Sequence, residues 1–300
     1  MTEKDPIFDY HQFIRLANAA METDYLKRLE EDGNYLYIDF SDIVRTLQNN
    51  IEEGISDNEY EYDFDEICDA LQDIVFADES QILPPAVADL VNYVYPIAVE
   101  QQDTEKTNNY GTLFYTGRIG KQDFAAAEKY YAMAAKEDYP LATENLGYIY
   151  YYGRTGKVDY AKAYMCFAKG TILHRRPIST YKLGDMYKNG YYVDKEPKTS
   201  FELYKKAEEF LQDIDNDYEL EVAAPDVHFR LGCCYQAGLG TEKNLDEALK
   251  YLHLAEQGFI KKIRTGDFFV KDLLKKTIQL QEKVRAELLA QLPTMEWANA

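Results

Sequence analysis

An eight-residue pattern that recurs four times constrains this chain more than any other feature. It reads YGTLFYTG at 110–117, LGYIYYYG at 146–153, LGDMYKNG at 183–190 and LGCCYQAG at 231–238. The shared template is apolar-Gly-x-x-aromatic-x-x-Gly. Its apolar and aromatic positions stand four apart, which places them on one face of a helix. The glycine beside the apolar residue removes a side chain where a neighbouring helix must come close. The closing glycine can take a positive φ and stop the helix. The anchor glycines are Gly111, Gly147, Gly184 and Gly232, so the steps are 36, 37 and 48 residues. Self-similarity at such a period marks an array in which each unit packs on its neighbours.

A second helical pattern follows each octet. Small residues recur seven apart with a bulky one between them: Ala127, Tyr131 and Ala134; Ala163, Phe167 and Gly170; Ser200, Tyr204 and Ala207; Ala248, Tyr251 and Ala255. This is two turns of one face, small where helices touch and large where they fill a groove. Asp123, Asp159 and Asn244 are expected N-caps, and Pro197 suits a first helical turn. A second glycine (Gly120, Gly156, Gly240) marks a tight loop after three of the octets, whereas the third has Tyr191, Tyr192, Val193 and Asp194 there. The long third step contains an acidic run at 213–221, read as an extended loop.

These octets and second helices resemble the Sel-one-like (Sel1-like) repeat family, a relative of tetratricopeptide repeats, over residues 108–258. The departures are the insertion before the fourth octet, the missing loop glycine in the third unit, and a first helix that opens on Asn108-Asn109-Tyr110. The resemblance implies an all-α fold, a right-handed α-α superhelix (solenoid) used for protein–protein contacts.

The expected organisation is a helical N-terminal cap or small helical domain at 1–105, four repeats at 106–258, and a C-terminal capping helix and tail at 259–300. Phe40, Ile43, Leu47 and Ile51 fall on one helical face, and Phe64, Ile67, Leu71 and Val75 repeat that spacing. Further helices are expected over 8–29 and 86–100, with a break at Pro84-Pro85. Between 268 and 292 an apolar face of Val270, Leu273, Leu274, Leu280, Val284, Leu288 and Leu292 is flanked by Lys271, Lys275, Lys276, Lys283 and Arg285. Solenoids need such a helix to cover the last unit; a dimerisation helix is the alternative. The tail 293–300 is expected to fray.

Asp plus Glu number 53 against 33 Lys plus Arg, a net charge of −20. Such a polyanion repels phosphates, so no nucleic-acid partner is expected. The basic patches are short: His174-Arg175-Arg176 and Lys275-Lys276. The acidity serves solubility or fits a basic partner, as in an immunity-type or regulatory protein that neutralises one. The stretch 57–66 holds six acids and no base, interleaved with Tyr60, Tyr62 and Phe64. It is either a solvated helix start or a docking strip for a basic partner. No export signal, membrane span or paired cysteine pattern is visible, and a cytoplasmic protein with reduced cysteines is expected.

No catalytic constellation stands out, and neither a cofactor nor a metal is expected. His11, His174, His228 and His253 form no zinc pattern, and Cys233-Cys234 reads as buried free thiols. Gly117-Arg118-Ile119-Gly120 and Gly153-Arg154-Thr155-Gly156 read as turns rather than phosphate loops. Some secreted relatives of the family, cysteine-rich in every repeat, are linked to penicillin binding or hydrolysis; this chain lacks those cysteines. The expected function is a non-catalytic adaptor or scaffold that holds a partner protein or peptide in a concave groove.

The resemblance also implies where a partner sits. Residues one, four and five places after each anchor glycine tend to line the concave face. Here these are Thr112, Tyr115 and Thr116; Tyr148, Tyr151 and Tyr152; Asp185, Lys188 and Asn189; and Cys233, Gln236 and Ala237. The middle of the groove is then a tyrosine cluster, a residue type enriched at interfaces. The alternative is that these tyrosines fill the interior of the superhelix.

Overall fold

The octet of each repeat forms the end of a helix, and the pattern that follows forms a second helix. The computed structural model describes residues 8–78, 81–214 and 217–291, and among these there are fourteen α-helices and no strand. Five helices precede the repeats: α1 (Tyr10–Met21), α2 (Asp24–Glu31), α3 (Tyr35–Glu52), α4 (Phe64–Phe76) and α5 (Pro85–Glu100). The repeats are the pairs α6 (Thr104–Thr116) and α7 (Phe124–Lys136), α8 (Pro140–Tyr152) and α9 (Tyr160–Ile172), α10 (Pro177–Asn189) and α11 (Pro197–Leu211), and α12 (Asp217–Ala237) and α13 (Leu245–Arg264). A last helix, α14 (Lys271–Gln291), follows. The chain divides into two compact units, 1–149 and 150–300, with the boundary inside α8.

Gly111, Gly184 and Gly232 sit where the two helices of a repeat touch. A Cβ on Gly111 would stand 2.9 Å from the Tyr131 ring, one on Gly184 2.7 Å from the Tyr204 ring, and one on Gly232 2.8 Å from Leu252. The facing residues Tyr131, Tyr204 and Leu252 are almost completely buried. The expected caps form: Asp123 accepts from the amides of Ala125 and Ala126, Asp159 from Lys162, and Asn244 from Glu247. Pro197 opens α11. The closing glycine ends its helix in the left-handed region, as at Gly117 and Gly190, both at φ 75°. In the third repeat, which lacks the second loop glycine, Tyr192 itself takes a φ of 68°.

In the first unit a hydrophobic core runs from Phe13 of α1 to Tyr110 and Leu113 of α6. The predicted faces of α3 and α4 enter it: Phe40, Leu47, Ile67, Leu71 and Val75 are fully buried. The helix expected over 8–29 is instead two. Thr23 accepts a hydrogen bond from the amide of Leu26 and starts α2 afresh, which lets Tyr25 reach across and donate to the Ile74 carbonyl at 2.8 Å. Arg118, in the loop after the first octet, is 4% exposed. Its guanidinium donates to the carbonyls of Val75, Asp78 and Gln81 at 2.7–3.0 Å. A cation placed on the last carbonyls of α4 is favoured by the helix dipole, so this arginine ties the first repeat to the helices before it.

In the second unit the acidic run before the fourth octet does not form the loop expected of it. From residue 217 it is helical and extends α12 to 21 residues, against 13 for α10. Its carboxylates find local bases. Glu219 pairs with Arg176 at 3.1 Å, Glu221 with Lys261, and Asp213, just ahead of α12, with Arg175. The basic patch at 174–176 is thereby occupied within the chain. Helix α14 buries Val284 against Leu245, Ala248 and Leu252 of α13, with Leu280 and Leu288 alongside. Residue 292 and the tail 293–300 lie outside the described residues.

The glycine contacts yield a stability test. Replacing Gly184 with alanine adds about 1 kcal/mol of helix propensity but overpacks the contact with Tyr204. That ring cannot retreat, because its hydroxyl is held by Asp185 at 2.7 Å and the Ser200 carbonyl stands 3.2 Å from the added carbon. Overpacking costs about 1–3 kcal/mol, so Gly184→Ala should lower the urea midpoint. A raised midpoint would mean that the helices do not meet at this residue.

Candidate protein-binding surface

The residues expected to line a groove fall into different environments. In the first unit Thr112 is half-buried and its hydroxyl lies 3.1 Å from that of Tyr131. Tyr115 packs edge-on against Phe124 at 5.2 Å, while Thr116 is exposed and Tyr148 half-buried.

In the second unit the tyrosine run separates by face. Tyr151 turns inward, with ring centroids 5.7 Å from Tyr160 and 6.0 Å from both Phe167 and Tyr191. Burial, aided by nearby Asp185 and neighbouring tyrosines, raises its pKa, which keeps it a neutral phenol. Tyr152 turns outward and is 47% exposed. The buried Lys182 ammonium donates to the Tyr152 hydroxyl at 2.7 Å and lies 5.0–5.1 Å from the centres of the Tyr151 and Tyr152 rings. Cation–π contact and hydrogen bond together hold Tyr152 in place.

Asp185 is engaged inside the protein. Both its oxygens accept from Arg230, at 2.8 and 2.7 Å, and one also accepts from Tyr204. Arg230 stacks 4.1 Å over the Tyr181 ring and also bonds Asp226. Burial pushes the Asp185 pKa up, but the Arg230 charge and hydrogen bonds outweigh it and hold the carboxyl below its usual value. Lys188 is half-buried and Asn189 exposed, the latter donating to the Asp185 carbonyl. Gln236 is buried, with its amide 3.4 Å from Glu287 of α14. The open part of the expected surface in this unit is therefore Tyr152, Lys188 and Asn189, joined by Ala237.

A feature of the first helices went unread in the sequence. The residue two places before each anchor glycine is polar: Asn109, Asn145, Lys182 and Arg230. Each reaches back toward the preceding helix pair. Asn109 donates to Gln72 of α4 at 2.7 Å, Asn145 to Asn108 at 3.1 Å, Lys182 to Tyr152, and Arg230 to Asp185. Four polar residues at one template position were the available signal. His228 faces Tyr251, while His253 is exposed and lies by Gln257. Among the described residues no group of His, Cys, Asp and Glu is arranged to hold a metal, and no helix is long and apolar enough to cross a membrane.

The Asp185–Arg230 pair gives a pH-dependent prediction. Because the folded-state pKa lies below the unfolded value of about 3.9, the pair contributes fully above that value. The contribution is lost as pH falls through the folded pKa. Arg230→Met strands a buried carboxylate and should cost about 3–5 kcal/mol at neutral pH. Asp185→Asn should flatten the acid limb of the stability–pH curve measured by urea titration. An unchanged acid limb would remove Asp185 from the account.

The model of the Sel1 repeat matches residues 107–139, 140–171, 177–209 and 225–257. These segments coincide with the four helix pairs. The solved Sel1 repeat protein from Oxalobacter formigenes is similar at a TM-score of 0.55 and 16% identity, covering 86% of this chain and 99% of that one. The structure of c5321, described as a protective antigen of uropathogenic Escherichia coli with an SLR fold, aligns at a TM-score of 0.42 and 17% identity, over 93% of this chain and 69% of that one. No curated protein matches the sequence. At 16% identity the likeness to the Oxalobacter formigenes structure speaks for the fold, an all-α repeat solenoid. With four matched repeats in register, the chain belongs to the Sel1-like repeat proteins.

Proposed function

We propose that this chain is a non-catalytic scaffold that binds an extended segment of a partner protein on the first helices of its repeats. Sel1 repeats generally serve as protein-interaction scaffolds. The observation that carries the reading here is Tyr152, a large aromatic side chain left 47% exposed yet held by the buried Lys182 ammonium. A preorganised, half-open tyrosine offers contact area at little entropic cost, which is the property interfaces exploit. Lys188 and Asn189 add polar groups for a partner's main chain.

Affinity capture tests the reading, with wild type compared to Tyr152→Ser/Lys188→Ser. Tyr152→Ser also takes an acceptor from the buried Lys182 ammonium, so binding is compared once circular dichroism shows the variant folded at the assay temperature. A protein retained by wild type should bind the variant at least about tenfold more weakly, the scale of losing one aromatic anchor. Equal retention by a folded variant would move the site elsewhere.

A further inference from the structure

The charge of this chain is unevenly placed. Residues 46–105 carry sixteen acids and no Lys, Arg or His, which leaves a net −4 for the rest of a chain at −20. At the other end, residues 259–276 carry six bases against two acids. Lys261 pairs with Glu221, and Lys262 with Asp226 and Asp267. Arg264, Lys271, Lys275 and Lys276 are exposed, and among the described residues no carboxylate pairs with them. Amid these bases a short 3-10 turn, Phe268–Val270, projects two aromatic side chains. Phe269 is 98% exposed and Phe268 58%. The turn is anchored from both sides: Val270 is buried, and Asp267 accepts from the amide of Phe269 at 3.1 Å. Lys271 lies 4.3 Å from the centre of the Phe268 ring. This is an anchored aromatic knob with Lys271 against one ring and further bases on either side of it in the chain.

The acidic segment holds a matching recess. A shallow pocket of about 470 Å³ is lined by Asp63, Phe64, Asp65, Gln101, Gln102 and Asp103. Phe64 supplies an apolar surface and the three aspartates an anionic rim. The base nearest in sequence, Lys106, is buried and committed to Asp69, with Asp103 at 4.0 Å. We propose that the Phe268–Phe269 knob of one chain docks on the acidic pocket of a second copy. Ring meets Phe64, and Lys271, Lys275 and Lys276 meet Asp63, Asp65 and the carboxylates around them. Knob and pocket are different surfaces, so the contact is heterologous and either closes into a ring or propagates from copy to copy. An anionic bilayer, the other surface an aromatic-basic knob fits, is disfavoured by the charge of −20 on the whole chain.

Sedimentation of the full chain from micromolar to millimolar concentration tests this. The mass of wild type should rise with concentration past that of a dimer, or stop at a closed ring, and fall with added salt. Lys271→Glu/Lys275→Glu/Lys276→Glu should weaken association at least about tenfold, as should Glu61→Lys/Asp65→Lys, by turning attraction into repulsion. A chain carrying both sets has complementary ends again and should recover association, an outcome that damaged folding cannot produce. Phe269→Ser, at an exposed position, should weaken association at least about fivefold. A wild type that stays monomeric throughout, a doubly reversed chain that does not recover, or association indifferent to Phe269 would each overturn the proposal. So would a monomer whose knob binds phosphatidylserine vesicles instead.

Discussion

The structure depends on one close contact, repeated. Where a glycine of a first helix meets Tyr131, Tyr204 or Leu252 of the second, the two helices approach more nearly than any side chain at that glycine would permit. The missing Cβ sets the separation and lets the facing residue be both large and fully buried. The small-large-small rhythm of the second helix follows from the same geometry, since Ser200 and Ala207 are small where Tyr204 is large. Helix propensity alone would disfavour a glycine in each of these helices; the packing behind it reverses that preference.

Between helix pairs the logic is polar. Asn109, Asn145, Lys182 and Arg230 occupy equivalent positions and each bonds the preceding pair. The first rung lands on Gln72 of α4, which lies before the matched repeats, and Arg118 reaches the carbonyls at the end of the same helix. The helices ahead of the array are thus joined to it by the kind of link that joins its members. Polar rungs fix register more sharply than apolar contacts do, because a slipped rung leaves a buried donor without an acceptor.

The repeats were legible because glycine and proline report backbone geometry directly: Gly117, Gly190 and Pro197 each do what their position required. The apolar faces of α3, α4 and α14 were legible from periodicity for the same reason that amphipathic helices always are. Three features were not. The break between α1 and α2 rests on one threonine hydroxyl. The acidic run became the start of α12 because Arg176 and Lys261 neutralise its carboxylates, and those partners are distant in sequence. At the expected groove, spacing identified the helix face but not occupancy: Asp185 and Gln236 lie on that face, yet Arg230 and Glu287 already engage them.

The Asp185 cluster also bears on how the array comes apart. A solenoid with only nearest-neighbour contacts can fray from its ends, one unit at a time. Here a carboxylate on α10 accepts hydrogen bonds from Tyr204 on α11 and Arg230 on α12. Peeling the fourth repeat away would strip Asp185 of its Arg230 partner, so opening the last repeat also weakens the one before it. The final two repeats should therefore open together, with amide protons in α10 and α12 sharing a common opening free energy.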